Sequence, residues 1–369
     1  MEAFALETLE SVGSLRAEWD DLLARCPGSP LFRTPEWVLT WYEVLADRFR
    51  PLVLAFRESG RLIGLLPLAR RRDGRRIEFA GEALASGDHL GLVARAEELD
   101  RLWDAAAGLL EPELRRARVL RLAMLDRGPE VEAARRAADR RGWTVVASAG
   151  IEAPVARLPS DPEDLLRRLR KKRRADVRRR RRDLEQREGA AFSTITGAED
   201  VGTGLEILFA LHAARWRSRG SEGTLGDPVK RRFLGTFCRS AAERGWLRLH
   251  VCRARGRPIG ALLAFHRDGT ASYLQSGWDP EFRRYGVGEL LVLFGMEEAV
   301  REGLRWFDFL RGDEPYKARW STETRTLVTL EAACRLPGRA ELRLRALASG
   351  LRRRLRARLA GDRRAEGGR

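Results

Sequence analysis

Two short segments in the last quarter of the chain hold residue types that bind anions and stabilise charge. The first, Arg283-Arg284-Tyr285-Gly286-Val287-Gly288, opens an apolar stretch with helical spacing. Glycines at the start of a helix let a phosphate approach the main chain, where free N–H groups and the helix dipole attract it. We therefore expect these six residues to bind a pyrophosphate. An ordinary glycine turn is the alternative, because such a motif is weak by itself.

The second segment follows the predicted strand WFDFL and supplies three candidate catalytic residues, Asp308, Tyr316 and Lys317. Asp308 lies inside the strand, where an unpaired carboxylate is costly to bury. Lys317 is one of only four lysines among 70 basic residues. This scarcity indicates that a compact ammonium is needed at that position. The alternative is a surface lysine with Asp308 or Asp313 as an ordinary partner.

Four residues farther upstream are candidates for contact with a substrate. His212, Arg215 and Trp216 fall at positions i, i+3 and i+4 of a predicted helix and share one of its faces. Asp88 belongs to SGDH, a polar cluster between predicted strands of the first half. The competing interpretations are a core tryptophan, an interface histidine at 212, and a Gly-Asp turn beside a solvated His89.

The size and charge of the chain limit the class of protein. With 369 residues, 44% of them apolar, it is long enough for two domains that each bury a core. The net charge of +17 favours anionic partners such as phosphates, nucleic acid or an anionic membrane surface. All but four of the basic residues are arginine, which is also typical of a coding bias. Local clusters of charge are therefore more informative than the total.

Cysteine spacing and hydropathy argue against a metal-binding, disulfide-linked, membrane-spanning or secreted protein. The four cysteines are far apart and show no CxxC or Cys/His ligand spacing, so we expect neither a metal site nor a disulfide framework. No run reaches the roughly 18 apolar residues of a membrane-spanning helix, and the N-terminus lacks the pattern of a signal peptide. We expect a cytoplasmic protein, with peripheral attachment to the inner face of the membrane left open.

Two strongly basic stretches stand out from the rest of the chain. A predicted helix from about residue 163 to Gly189 holds twelve basic residues and two acids between Arg167 and Asp183. It either presents a solvated face or binds an anionic ligand that relieves the repulsion. Residues 335–369 combine leucines at helical spacing with many arginines. They could lie on an anionic membrane as an amphipathic helix, pack on a partner, or fray.

The second half resembles the GNAT superfamily of acyltransferases, and more narrowly its CelD/BcsL-like or BioF2-like acetyltransferase branch. The resemblance rests on three segments in one order: KKRRADVRRRRRDLE, YLQSGWDPEFRRYGVGELL and FDFLRGDEPYKARW. Within the second segment, Arg283, Gly286 and Gly288 match the pattern (Gln/Arg)-x-x-Gly-x-(Gly/Ala). The third is distantly similar to the Phe-Lys signature of Fem-type aminoacyltransferases. The likeness covers roughly residues 158–333 well and the first half only in outline.

This resemblance implies an α+β fold of tandem GNAT-like lobes, each a mixed, mostly antiparallel central sheet flanked by helices. The implied domains are a divergent lobe at 1–157 without a glycine loop, an acyltransferase lobe at 158–333, and a basic amphipathic or disordered tail at 334–369. The implied reaction is direct attack of an acceptor amine or hydroxyl on the thioester of acetyl-CoA or another acyl-CoA.

The same resemblance implies roles for the candidate catalytic residues. Lys317 would stabilise charge or bind an acceptor phosphate, Tyr316 would donate a proton, and Asp308 would orient Lys317. Many GNAT members have a glutamate base on the strand before the glycine loop, but GALLAFHRDG has none. The identity of a base is therefore not assigned.

The sequence thus predicts an acyl-CoA-dependent N- or O-acyltransferase with a small-molecule, polysaccharide or cell-envelope acceptor. One alternative is a Fem-type transferase that uses aminoacyl-tRNA, although no heptad insertion for a coiled-coil arm is visible. Another is a non-catalytic module that binds nucleic acid or a membrane surface on a GNAT scaffold. The oligomeric state is not indicated.

Overall fold

The computed structural model describes residues 1–218, 220–345 and 347. Within this part of the chain, fourteen strands form one sheet, with helices packed against it. The first half forms, in chain order, β1 (Glu2–Leu6), α1 (Leu9–Gly13), α2 (Arg16–Ala24), α3 (Pro35–Val44), β2 (Phe49–Glu58), β3 (Arg61–Arg71), β4 (Arg76–Phe79), β5 (Val93–Ala94), α4 (Leu99–Arg116), β6 (Val119–Asp126), α5 (Pro129–Arg140), β7 (Thr144–Ala147) and β8 (Ile151–Arg157).

The second half begins with the basic segment and ends with a long strand. It forms α6 (Glu163–Arg167), α7 (Lys171–Glu188), β9 (Ala191–Ile195), α8 (Val201–Arg217), α9 (Pro228–Glu243), β10 (Leu247–Ala254), β11 (Arg257–Arg267), β12 (Thr270–Trp278), α10 (Val287–Arg301), β13 (Trp306–Asp308), α11 (Lys317–Trp320) and β14 (Glu323–Ala333). Residues 336–345 are also helical. The remainder of the predicted basic tail lies outside the described residues.

Local sequence signals predict many of these elements correctly. Thr34 caps α3 by accepting the N–H of Trp37, and Pro35 occupies the first helical position. The predicted single helix from 163 to 189 is wrong, because the chain breaks into α6 and α7 around the extended Arg170. The break lets the buried leucines of α6 and the buried stripe of α7 both reach the core. Gly189 ends α7 in the left-handed conformation at φ 62°.

The sheet is mixed and mostly antiparallel, as predicted. Its order is β1-β2-β3-β4-β6-β14-β8-β13-β12-β11-β10-β9. The parallel pairs are β4 with β6, across helix α4, and β12 with β13, across helix α10. Each half of the chain therefore contains one β-α-β unit of the same kind, joined to antiparallel hairpins. This arrangement agrees with the predicted pair of similar lobes.

Strand β14 connects the two halves. Its first part, Glu323–Leu327, pairs with β8, and Leu327–Ala332 pairs with β6. β8 in turn pairs with β13 of the second half. Pairing therefore crosses the boundary expected at residues 157/158, while the division of the chain into domains stays a prediction.

The hydrophobic core also extends through both halves. Trp37 on α3 makes edge-on contacts with Phe233 and Phe237 on α9, at centroid distances of 4.8 and 4.7 Å. All three side chains are almost completely buried. This packing joins the first half to α9, so residues from both halves can line one site. Within the described residues, no helix combines the length and the apolar character needed to cross a bilayer.

Candidate functional site

The predicted glycine loop begins a helix, as expected. A short 3₁₀ helix, Pro280–Tyr285, leads to Gly286, which is left-handed at φ 65°, and α10 starts at Val287. A non-glycine residue adopts this φ only at a cost, so the sharp entry into the helix requires glycine. In the described part of the chain, the N–H groups of Val287 and Gly288 have no main-chain acceptor. They are therefore available to an external anion.

A cavity of about 520 Å³ lies at this helix N-terminus, where the resemblance implies that a donor binds, and we call it the donor cavity for that expectation. Four of the six predicted loop residues line it, namely Arg283, Gly286, Val287 and Gly288. Arg284 and Tyr285 are not among the lining residues, because both bind Glu188 at the end of α7. Their side chains are committed to joining the loop to α7. A role for the six residues in binding a donor stays a prediction.

Helix α7 brings two further cations to the glycine loop. Arg173 and Arg180 both donate to the buried Glu289 Oε2, the latter over 2.7 Å. A Cβ added at Gly286 would lie only 2.0 Å from Arg180 Nη1, so the guanidinium covers the loop directly. The sequence did not single out these two arginines. Their separation of seven residues, which puts both on one face of a helix, is the signal that was available.

Acidic side chains of α10 neutralise part of the basic helix. Besides Glu289, Glu297 accepts from Arg181 Nη1 over 2.8 Å. The protein thus supplies some of the counter-anions that the sequence analysis sought in a ligand. Whether α7 also binds an external anion stays a prediction.

A second cavity of about 260 Å³ adjoins the first, and we call it the acceptor cavity because it holds the residues that were predicted to contact a substrate. It is lined by all four residues predicted to contact a substrate, which are Asp88, His212, Arg215 and Trp216. Tyr316 and Lys317 of the catalytic prediction line it too. The structure therefore brings these residues together from both halves of the chain, although their roles remain untested.

Helix α8 reaches this cavity because it packs unusually close to β12. A Cβ at Gly277 would lie 2.2 Å from the main-chain nitrogen of His212, so only glycine allows this approach. The pairing of β11 with β12 also shifts register, which leaves Leu274 without a partner residue. Such a bulge re-aims neighbouring side chains. Here Tyr273, Gln275 and Ser276 all line the acceptor cavity.

A chain of hydroxyl groups marks the junction of the two cavities. Arg215, Tyr273, Ser276 and Tyr316 line both of them. Tyr316 donates to Tyr273 over 3.4 Å, and the Tyr273 hydroxyl lies 2.6 Å from Ser276 Oγ. Burial raises the pKa of both tyrosines above the ordinary value. Both hydroxyls therefore stay protonated at neutral pH, so this junction holds a proton donor.

Lys317 is buried, but its partner is not Asp308. Its ammonium donates to the carbonyl of Arg311 over 2.7 Å and pairs with Glu314 at 2.8 Å. Asp308 accepts the N–H of Leu310 over 2.8 Å. The prediction that Asp308 orients Lys317 directly is therefore wrong. Leu310 is left-handed at φ 57°, and its peptide lies between the two side chains.

His89 is the partner of Asp308, and it is buried rather than solvated. Its Nε2 lies 3.0 Å from Asp308 Oδ2, and its Nδ1 lies 2.7 Å from Asp126 Oδ1. Burial opposes protonation of the ring, yet the carboxylates of Asp308 and Asp126 raise the pKa of His89 to about 10. His89 therefore acts as a cation that joins the first half to β13.

Arg311 and Lys230 are charged residues of the acceptor cavity that the sequence analysis did not name. Arg311 holds Asp88 by an ion pair of 2.9 Å and by its own N–H. Burial raises the pKa of Asp88 despite this pairing. Lys230, on the first turn of α9, donates to Ser86 Oγ over 2.9 Å. Lysine is rare in this chain, and this signal, which pointed to Lys317, points equally to Lys230.

Among the described residues, no group of three or more His, Cys, Asp or Glu side chains is arranged to hold a metal ion. The cysteines are free, and Cys26, Cys238 and Cys252 are buried.

The comparison with protein families agrees with this geometry. The family described as "Acetyltransferase (GNAT) domain" matches residues 171–318, from the start of α7 to the start of α11. Residues 171–318 therefore match a GNAT-type acetyltransferase domain, in agreement with the superfamily that the sequence resembles. No curated protein matches the chain.

Solved structures share the fold over most of the chain. "Crystal structure of FemX" has a TM-score of 0.59 and 12% identity, and covers 90% of this chain and 97% of its own. The C-terminal domain (DUF2156) of a putative lysylphosphatidylglycerol synthetase from Agrobacterium fabrum has a TM-score of 0.54, 11% identity, and coverage of 90% and 95%. L-PGS from Bacillus licheniformis has a TM-score of 0.50, 12% identity, and coverage of 85% and 90%. At these identities the likeness shows the fold alone.

Proposed function

We propose that the protein is an acyl-CoA-dependent acyltransferase, in the simplest case an acetyltransferase, that acylates an amine or hydroxyl directly. The observation that carries this proposal is the junction of the two cavities, which share Arg215, Tyr273, Ser276 and Tyr316. A nucleophile must come within roughly 3–3.5 Å of the carbon that it attacks. Two cavities with a common wall allow both substrates to meet in this way, so they support direct transfer.

The residues of the donor cavity fit the pyrophosphate of CoA. Val287 and Gly288 offer main-chain N–H groups at the positive end of the α10 dipole. Arg283 lines the cavity, and Arg180 covers Gly286. Glu289 would repel a phosphate if it were unpaired, but Arg173 and Arg180 compensate its charge.

The junction residues are suited to the proton transfers of acyl transfer. The thioester supplies an activated carbonyl. The buried Tyr316 hydroxyl can protonate the departing thiolate, and Tyr273 and Ser276 can relay a proton to it. Burial lowers the pKa of His212 to about 4, with Arg215 and Lys230 adding to the effect. His212 is therefore neutral at physiological pH and can accept a proton from the nucleophile.

The acceptor class is a proposal that rests on the resemblance to the CelD/BcsL-like branch. A small molecule, a glycan-type molecule or a cell-envelope precursor is the class we favour, with a role in polysaccharide biosynthesis. The reaction would take place in the cytoplasm, where acyl-CoA is available, including at the inner face of the membrane.

Donor binding is tested by the thermal midpoint in the presence of acetyl-CoA. A ligand at about 100 times its Kd adds roughly 2.7 kcal/mol to the free energy of unfolding, so the midpoint rises. Gly286→Trp and Gly288→Trp should abolish the rise. Gly189→Trp is a matched control, because Gly189 has nearly the same φ and no atom within 4 Å of its Cβ position.

A transferase that uses aminoacyl-tRNA as its donor would give the opposite result in the same binding experiments. If CoA thioesters leave the midpoint unchanged while RNA binds with a steep dependence on salt concentration, the acyl-CoA proposal fails. An aminoacyl-tRNA-dependent transferase or a nucleic-acid-binding module would then be favoured.

A further inference from the structure

The acceptor cavity contains more cations than acids, and its acids are already paired. Asp88 is held by Arg311 at 2.9 Å, and Glu314 by Lys317 at 2.8 Å. Among the lining residues, two positive charges remain, those of Lys230 and Arg215. A cavity with this balance attracts an anion.

Lys230 is 5% exposed, and the neighbouring acid does not pair with it. Asp227 uses its carboxylate to cap α9, accepting the N–H of Val229 over 2.8 Å. The ammonium of Lys230 donates to the neutral hydroxyl of Ser86. A buried ammonium without a carboxylate is costly, and burial accordingly lowers the pKa of Lys230 to about 8. An anion in the cavity would offset this cost.

Arg215, at the junction of the two cavities, also has no carboxylate partner among the described residues. Its Nη1 donates to Ser276 Oγ over 3.4 Å, and its guanidinium lies about 6.0 Å from the ring of Trp278. Its Nε is buried and has no hydrogen-bond partner among the described residues. Arg215 and Lys230 both depress the pKa of His212, so their fields converge on the same part of the cavity.

We propose that Lys230, assisted by Arg215, binds an anionic group of the acceptor, either a carboxylate or a phosphate. The acceptor is then an amine or alcohol that carries such an anion close to its nucleophile. This inference rests on the proposed function, because it assigns the 260 Å³ cavity to the acceptor. It uses Lys230 for binding and positioning, and leaves proton transfer to His212 and Tyr316.

The test uses two simple anions on the full chain with the donor cavity first saturated by CoA, which prevents phosphate from binding at the glycine loop. Sodium acetate and inorganic phosphate serve as probes at constant ionic strength, with acetamide as a neutral comparison. We expect one anion to raise the thermal midpoint and acetamide to leave it unchanged. A response to acetate indicates a carboxylate in the acceptor, and a response to phosphate indicates a phosphate.

Lys230→Met should weaken binding of the effective anion by about tenfold or more, which is the loss expected for a charged hydrogen bond. Lys171→Met is the matched control, since Lys171 is exposed on α7. Ser86→Ala provides a second variant that keeps the ammonium and should retain most of the affinity. The midpoint of Lys230→Met without ligand should not fall, because the substitution removes a buried unpaired charge.

The pH dependence separates binding from catalysis by a base. An anion anchor must be protonated, so anion affinity of the wild type should fall above about pH 8, where Lys230 loses its proton. Affinity that rises with pH, no response to either anion, or equal binding by Lys230→Met would each overturn the inference. If CoA still raises the thermal midpoint, any of these results overturns only the inference about Lys230 and leaves the proposed function intact. If CoA does not change the thermal midpoint, the proposed function itself is contradicted.

Discussion

His89 Nε2 lies 3.0 Å from Asp308 Oδ2, so a loop of the first half holds the last residue of β13 in the second. The other ring nitrogen lies 2.7 Å from Asp126 Oδ1 at the end of β6. Asp308 also accepts the N–H of Leu310, whose carbonyl lies 3.4 Å from the Lys317 ammonium. A continuous chain of contacts therefore links both lobes to the candidate catalytic lysine.

Replacement of His89 should have a pH-dependent effect on stability. The pKa of His89 is about 10 in the fold, compared with an ordinary value of 6.5 in the unfolded chain, so its stabilising contribution is complete below about pH 6.5 and is lost as pH rises towards 10. Near pH 6, His89→Gln should cost about 3–5 kcal/mol, because it removes one partner of a buried ion pair. Urea unfolding at a series of pH values measures the difference, which should shrink on the alkaline side.

His250→Gln is the control for this effect. Burial lowers the pKa of His250 to about 3, so that ring is neutral throughout the same pH range. Its cost should stay constant between about pH 8 and pH 10, where the ring is neutral both in the fold and in the unfolded chain. A cost of His89→Gln that is equally constant would show that His89 is not a cation in the fold.

Arg180 should contribute to donor affinity. Its guanidinium covers Gly286, the residue that precedes the free N–H groups of α10, and a guanidinium in that position can bind a phosphate. We expect Arg180→Met to reduce the affinity for acetyl-CoA by about tenfold. Isothermal titration calorimetry measures the change, and Arg182→Met, an exposed position on the same helix, controls for the loss of one positive charge. Equal losses in the two variants would indicate a general electrostatic effect and exclude a specific contact.

Tyr316 should affect turnover more than binding. Loss of a general acid typically lowers the rate by about 10²–10⁴-fold. Tyr316→Phe keeps the ring that lines both cavities, so kcat should fall while KM for the donor stays nearly constant. Tyr42→Phe removes a buried hydroxyl that donates to the carbonyl of Leu68 and should lower stability with little effect on kcat. An unchanged kcat in Tyr316→Phe would remove Tyr316 from the proton path.

The basic tail is expected to bind anionic vesicles. Leu342 is fully buried beside Val119 and Ala333, so a truncation that preserves the fold should follow Leu347 and not residue 340. Removal of residues 348–369 should leave the thermal midpoint unchanged and reduce binding to anionic vesicles, at about 1 kcal/mol per basic residue near the surface. Sedimentation with anionic and with neutral vesicles measures this. Unchanged binding would eliminate the membrane hypothesis.

The features that were predictable from sequence are mainly local ones. The cap at Thr34, the hairpin turn at Asp268-Gly269 and the left-handed Gly286 depend on residues within a few positions of each other. For the same reason the glycine loop was identified, and so was the shared face of His212 and Arg215. The break between α6 and α7 was not predicted, because it depends on how each segment packs against the core.

The candidate site was predicted only in pieces. Its loop residues, its tyrosine and lysine, and its acceptor-side residues were each named from their own neighbourhoods. The pairing of Asp308 with His89 was missed, and so was the position of Lys230. His89 and Asp308 are more than two hundred residues apart, and Lys230 and Ser86 are 144 positions apart. No short pattern in the chain could join them.

The sequence by itself therefore determined the glycine loop at the start of α10, many of the individual elements and the resemblance to GNAT domains, since each depends on residues close together in the chain. Tertiary structure alone decided that β14 joins the two halves, that two cavities share a wall of four side chains, and that two cations line the smaller cavity without carboxylate partners. These relationships arise from packing between distant segments, where burial and charge are set by neighbours that the chain order does not reveal.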